Sequence, residues 1–187
     1  MPTHAKPWRL SDLEPYDEEQ DTVRAVVETP KGSRNKYDYD PLFNGFTLAK
    51  TLPDGMTFPF DFGFIPSTLG DDGDPVDVMV LLDAPAIPGC VLDCQLIGVI
   101  EGRQKEKGKS WVENDRLIAR AVHARTHEQV KSIDDLPPSL IKDIEAFFVN
   151  YNALQGKRFE CRGCHGPRRA LSLLRAGVKA YRKQRRQ

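Results

Sequence analysis

Four carboxylates fall within seven residues, Asp71-Asp72-Gly73-Asp74-Pro75-Val76-Asp77, directly before the apolar run Val78-Met79-Val80-Leu81-Leu82. Anions at that density repel one another, and a fold keeps them where something positive sits among them. Carboxylate oxygens suit a hard divalent cation, and Mg²⁺ in such a site typically also holds substrate phosphates. The chemistry implied is Mg²⁺-dependent work on a phosphate compound. The competing reading is a solvated turn, since Asp, Gly and Pro all favour turns. The number of carboxylates that must coexist argues against it.

Two known loop types can be tested on these residues. An EF-hand starting at Asp72 would need an oxygen ligand at its fifth position and Gly at its sixth; Val76 and Asp77 stand there. That reading fails. Asp72 to Val76 also fits the short D-x-D-x-V pattern of aspartyl-phosphate hydrolases, which follows a buried strand. The preceding Pro66-Ser67-Thr68-Leu69-Gly70 is not one.

Strands must position the cluster. Thr22–Thr29 is rich in β-branched residues, Lys36–Tyr39 starts a second strand and Phe43–Ala49 a third. Pro53-Asp54-Gly55 is a turn, with Pro presetting one dihedral and Gly allowing a positive φ. Phe58, Phe60, Phe62 and Phe64 recur at period two, which puts four rings on one face of an extended segment. Pro59 marks that segment as an edge or irregular strand. Val76–Leu82, Val91–Glu101 and Leu117–Ala124 continue the β pattern, and Glu106-Lys107-Gly108-Lys109 reads as a hairpin tip. Two helices follow. Pro137-Pro138 opens the first, striped by Leu140, Ile141, Ile144, Phe147, Phe148, Tyr151 and Leu154. Pro167 opens the second, striped by Leu171, Leu174, Val178 and Tyr181. The expected class is α+β: a strongly bent sheet or small barrel with helices packed outside. Residues 1–20 read as an arm and 21–187 as a single domain with a basic C-terminal helix.

The chain of 187 residues carries 27 Lys/Arg and 27 Asp/Glu, unevenly placed. Residues 1–154 hold 16 basic and 26 acidic groups; residues 155–187 hold 11 and one. The acidic part fits a cation site. The basic end is a solvated helix end favoured by its own dipole, so no nucleic-acid partner is expected. No apolar stretch reaches membrane-span length, and the N-terminus lacks the apolar core of a signal peptide. The expectation is a cytoplasmic protein with no membrane partner and reduced cysteines. Cys161-Arg162-Gly163-Cys164-His165 matches C-x-x-C-H, the haem-attachment pattern, which needs export. A zinc site would need further ligands, and no second Cys/His pair lies nearby. The segment reads as a polar loop between two helices with incidental cysteines. Cys90 and Cys94 read as buried thiols.

Asp72-Gly73-Asp74-Pro75-Val76-Asp77-Val78 resembles the signature of the soluble family I inorganic pyrophosphatases. The likeness extends to Val26-Val27-Glu28-Thr29-Pro30, Asn35-Lys36-Tyr37-Asp38, Phe58-Pro59 through Gly63-Phe64-Ile65-Pro66, Asn114-Asp115-Arg116-Leu117 and Phe147-Phe148-Val149-Asn150-Tyr151. These occur in the family's order and cover roughly residues 22–180. The resemblance implies an OB-like five-stranded β-barrel with additional strands and two helices outside. It also implies hydrolysis of pyrophosphate with several Mg²⁺ ions, and a homo-oligomer, often hexameric in prokaryotes. By the same resemblance Asp72 and Asp77 are metal ligands, Asp74 is the catalytic base, and Glu28, Asp38 and Asp115 hold further metals. Lys36, Lys50, Arg116 and Tyr151 would contact phosphate. Without the resemblance, Glu28 and Lys36 read as ordinary surface charges, and Tyr151 reads as core. The sequence departs from the family at Lys50 (Arg in well-known bacterial members), Phe62 (Tyr), Asp38 (Glu) and Gln104 (Asp). The second acid of that last cluster aligns to Asn114 or Asp115, and Asp115 is preferred. These departures keep two alternatives in play: a relative that binds metal and phosphate without turnover, and a hydrolase of a larger phosphoanhydride.

Overall fold

The computed structural model describes residues 9–186. Residues 1–8 of the expected arm lie outside that range. In chain order the elements are β1 (Tyr16–Asp17), β2 (Thr22–Thr29), β3 (Asn35–Asp40), β4 (Gly45–Thr51), β5 (Asp61–Phe64), β6 (Asp77–Leu81), β7 (Val91–Glu106), β8 (Val112–Glu113), β9 (Arg116–Ala121), α1 (Pro138–Ala153), β10 (Lys157–His165) and α2 (Pro167–Gln184).

Five strands close a ring: β2 pairs with β5, β5 with β6, β6 with β9, β9 with β7, and β7 again with β2. All these pairings are antiparallel except β6–β9. The 16-residue β7 is long enough to close the ring with one end and to pair with β8 and β10 at the other. β3 and β4 form a separate hairpin. The expected OB-like barrel with two outer helices is what the chain forms.

Both faces of the barrel strands are covered, which is why Val78–Leu81 and Leu117–Ala119 read as continuous apolar runs. Alternate residues serve two cores. Met79, Leu81 and Ile118 join Phe58, Phe60 and Phe62 against Ile144, Phe147 and Phe148 of α1. Val78, Val80, Leu117 and Ala119 pack with Ala170, Leu174 and Val178 of α2. Both helices begin with Pro at the first helical position, where the missing N–H costs no hydrogen bond. Leu154, expected on the α1 stripe, is exposed because the helix ends one residue earlier.

Three expectations change. Only Asp61–Phe64 of the Phe-rich segment is strand, and Phe64 leaves its three partners to stack on Tyr39 at 5.5 Å. Cys90 is only half-buried, while Cys94 is fully buried. The largest change is at 157–165, which forms β10 rather than a loop. Its Arg, Gly and Cys residues carry no clear β pattern. The pairing along β7 from Lys157↔Glu106 to His165↔Val99 supplies what local propensity lacks.

Candidate active site

The acidic turn lies between β5 and β6. Ile65 donates to Val76 (2.9 Å) and Gly70 to Asp74 (2.7 Å), which closes it. Thr68 braces it from inside, donating to the Ile65 carbonyl and accepting from Val76 N–H at 2.9 Å. Gly73 sits at φ 93°, a conformation that side chains resist. Asp72 accepts the Asp74 amide at 3.2 Å, so these two acids are held beside each other. Asp77 starts β6.

Glu28 reaches the site through an irregularity of β2. Val27 faces Gly63 and Thr29 faces Phe62, so Glu28 is an extra residue opposite the β5 ladder. Its carboxylate accepts the Tyr39 amide and the Lys36 ammonium, both at 2.9 Å. Lys36 also donates to Asp38 (2.6 Å) and to the Tyr37 carbonyl (2.7 Å). Gly63 is obligatory here: a Cβ on it would lie 1.9 Å from the Val26 carbonyl oxygen.

These groups line one cavity of about 480 Å³. It brings together Glu28, Lys36, Asp38, Asp72, Asp74, Asp77, Arg116 and Tyr151 of the expected set. Lys50 stands at its edge, 5.0 Å over the Tyr151 ring. Asp115 is not in this cavity. Its carboxylate accepts the Gly102 amide at 3.0 Å, and it lines a smaller neighbouring cavity shared with Asp72 and Asp77. Asn114 enters both cavities. Gln104 and Phe62, two of the departures from the family pattern, also line the larger one.

Sequence reasoning missed Asn152, in the last turn of α1, and Gln155 and Lys157, which the turn from α1 into β10 delivers to the cavity wall. Lys157 adds a cation, 3.5 Å from Glu106. Its only local signal was the Gly156-Lys157 pair after the helix, which has no chemistry by itself.

Electrostatics follow from crowding and burial. Burial, opposed by Arg116 and Lys36 and reinforced by Glu28 and Asp72, raises Asp77 to about 6. Partial burial, then Asp72 and Asp38, raises Asp74. Burial favours the neutral form of Lys36, but Glu28 and Asp38 outweigh it and raise its pKa, so Lys36 stays charged. Arg116 is 4% exposed and sits 3.0 Å from Asp77; it also donates to the Asn114 side chain. Burial, then repulsion by Asp38 and Asp77 against the pull of Lys36, raises the Tyr151 hydroxyl and keeps it a donor.

The acidic donors are all carboxylate oxygens, interleaved with Lys36 and Arg116 and joined by Tyr151. That fits a hard dication and not a zinc-type ion. Fold and site together define a carboxylate-rich centre with facing cations, built on a five-stranded barrel. Comparisons agree. Residues 25–182 match the family described as Inorganic pyrophosphatase. The inorganic pyrophosphatase of Geobacillus stearothermophilus is 37% identical over 166 residues, covering 89% of this chain and 98% of its own. The crystal structure of the Thermus thermophilus inorganic pyrophosphatase superposes with a TM-score of 0.85 at 33% identity, covering 94% of this chain and 99% of that one. That from Neisseria gonorrhoeae gives 0.81 at 27% identity, covering 91% and 96%. The chain belongs to the inorganic pyrophosphatase family.

Proposed function

We propose that this protein is a Mg²⁺-dependent inorganic pyrophosphatase of the cytoplasm, splitting pyrophosphate into two orthophosphates, and that it works as a homo-oligomer, with a hexamer as the favoured size. Family membership supports the reaction. The observation that carries it to these residues is the single cavity where five carboxylates face Lys36, Arg116, Tyr151 and Lys157.

Glu28, Asp38, Asp72 and Asp77 would hold the cations, with Asp115 joining from the adjoining cavity. When bound, such ions neutralise phosphoryl charge and acidify coordinated water. The chain's own part is positioning. Lys36 and Lys157 offer point charges to phosphate oxygens, while Arg116, locked on Asp77, offers a fixed one. Lys50 adds positive potential from the cavity edge. The Tyr151 hydroxyl, held neutral, donates to a phosphate oxygen. Asp74, whose pKa is raised by partial burial and the neighbouring acids, accepts the proton of the attacking water. Phosphoryl transfer asks for this division, since its transition state needs placement and charge more than covalent help from protein.

Phosphate release from pyrophosphate, measured with and without Mg²⁺, tests the reading. Asp74→Asn should fold normally and lose at least about 10²-fold in turnover, the scale of a lost general base. Unchanged turnover removes Asp74 from that role. Metal and phosphate binding with no turnover in the wild type would leave a binding relative instead. Poor cleavage of pyrophosphate beside good cleavage of a nucleoside triphosphate would move the substrate to larger phosphoanhydrides.

A further inference from the structure

We propose that Cys161, Cys164 and Glu145 form a second metal site, separate from the acidic cavity and suited to Zn²⁺. The strand geometry explains why two cysteines three apart can act together. In a regular strand, residues i and i+3 point to opposite faces. In β10, Cys161 faces Gly102 and Gly163 faces Glu101, so Arg162 is an extra residue. That one insertion returns Cys164 to the face of Cys161, beneath α1. His165 falls on the other face, beside Glu101 at 3.5 Å, and takes no part.

Glu145 of α1 completes the set. Its Oε1 lies 3.1 Å from Cys161 Sγ and 3.3 Å from Cys164 Sγ, and the three candidate donor atoms lie within 4.8 Å of one another. A tetrahedral zinc with Zn–S bonds of about 2.3 Å places its sulfurs about 3.8 Å apart and each sulfur about 3.5 Å from a carboxylate oxygen. The apo spacing needs changes of only a few tenths of an ångström in the sulfur–oxygen pairs. All three residues are half-buried, leaving a solvent side for a water as fourth ligand. Two thiolates and one carboxylate make a borderline-soft set, unlike the all-oxygen cavity.

Without metal, burial and then Glu145 raise the two thiols to about 11 and about 12, so they stand protonated, hydrogen-bonded to the carboxylate. Binding displaces one proton from each thiol and leaves two thiolate–metal bonds. The ion ties β10 to α1. Those are the two elements that present Lys157 and Tyr151 to the acidic cavity. This site does not depend on the proposed reaction.

The test titrates Cd²⁺ into the reduced full-length protein in saturating Mg²⁺ and follows thiolate-to-cadmium charge-transfer absorption. The expected result is a band that saturates at one equivalent, disappears in Cys161→Ser and in Cys164→Ser, and weakens in Glu145→Gln. Zn²⁺ at about 100 times its Kd should raise the wild-type melting temperature by about 5–10 °C and leave both serine variants unmoved. Absence of the band overturns the proposal. So does a band retained in the two serine variants, which would assign it to Cys90 and Cys94. A Cys161–Cys164 disulfide in protein purified without added oxidant does the same. None of these readouts uses turnover, so failure here is distinguishable from failure of the pyrophosphatase reading.

Discussion

Of the strands that carry an extra residue, β2 and β10 each use it to gather a donor cluster, and the two clusters differ in kind. In β2 the extra residue is the donor itself: Glu28 is swung out of the ladder toward Lys36 and Asp38. In β10 the extra residue is Arg162, which is no donor but changes the parity of its neighbours so that two thiols share a face. The first cluster is all oxygen and lines the acidic cavity. The second is mostly sulfur and lies between a strand and a helix. An irregular strand can therefore place chemistry by moving one side chain or by re-phasing two, and the two mechanisms fail differently when disturbed.

The sharpest break falls on the first cluster. Lys36 is 6% exposed and holds Glu28 and Asp38 together, so Lys36→Met leaves two acids facing each other without their cation. Breaking such a buried pair costs about 3–5 kcal/mol. Chemical denaturation in chelator should show that loss, and saturating Mg²⁺ should recover more stability for the variant than for the wild type. Equal recovery would mean that Lys36 and the cation do not share the work of neutralising these acids.

Glycines opposite the two irregularities come next. Alanine at Gly63 would drive its Cβ into the Val26 carbonyl oxygen at 1.9 Å, a clash with backbone. Alanine at Gly102 would meet the Phe159 ring at 2.3 Å, a side chain that can tilt. Gly63→Ala should cost about 3 kcal/mol, lowering the melting temperature by about 6–12 °C, and Gly102→Ala less. The reverse order, read by calorimetry, would place the tighter constraint in β10.

How far these clusters could be read from sequence follows from how each is assembled. Asp72, Asp74 and Asp77 lie in one turn, so their density alone announces a cation site. Glu28, Asp38 and Arg116 come from three strands and become neighbours only when β2, β3 and β9 take their places. A resemblance supplied them where local pattern did not. Lys157 and Gln155 depend on the exit angle of α1, which no short motif encodes. The barrel strands were legible because both their faces are apolar. β10 was hidden because its residues obey its pairing with β7 rather than any alternation of their own. Glu145 was hidden for the same reason as Glu28: a donor on another element has no spacing to count.

A pH titration distinguishes the clusters at smaller amplitude. Asp77 stands at about 6 in the fold, above the ordinary carboxylate value it regains on unfolding. The folded chain therefore holds that proton more tightly. Its contribution to stability is complete below about pH 4 and is lost as pH rises through about 6. In chelator, the stability of wild type minus that of Asp77→Asn should fall across this window. With saturating Mg²⁺ the slope should reverse, because cation binding requires the ionised acid and strengthens as the proton leaves. Cys161→Ser, measured the same way, should show neither slope nor reversal between pH 4 and 6. A reversal in that variant's own difference curve would tie the two clusters into one coupled system.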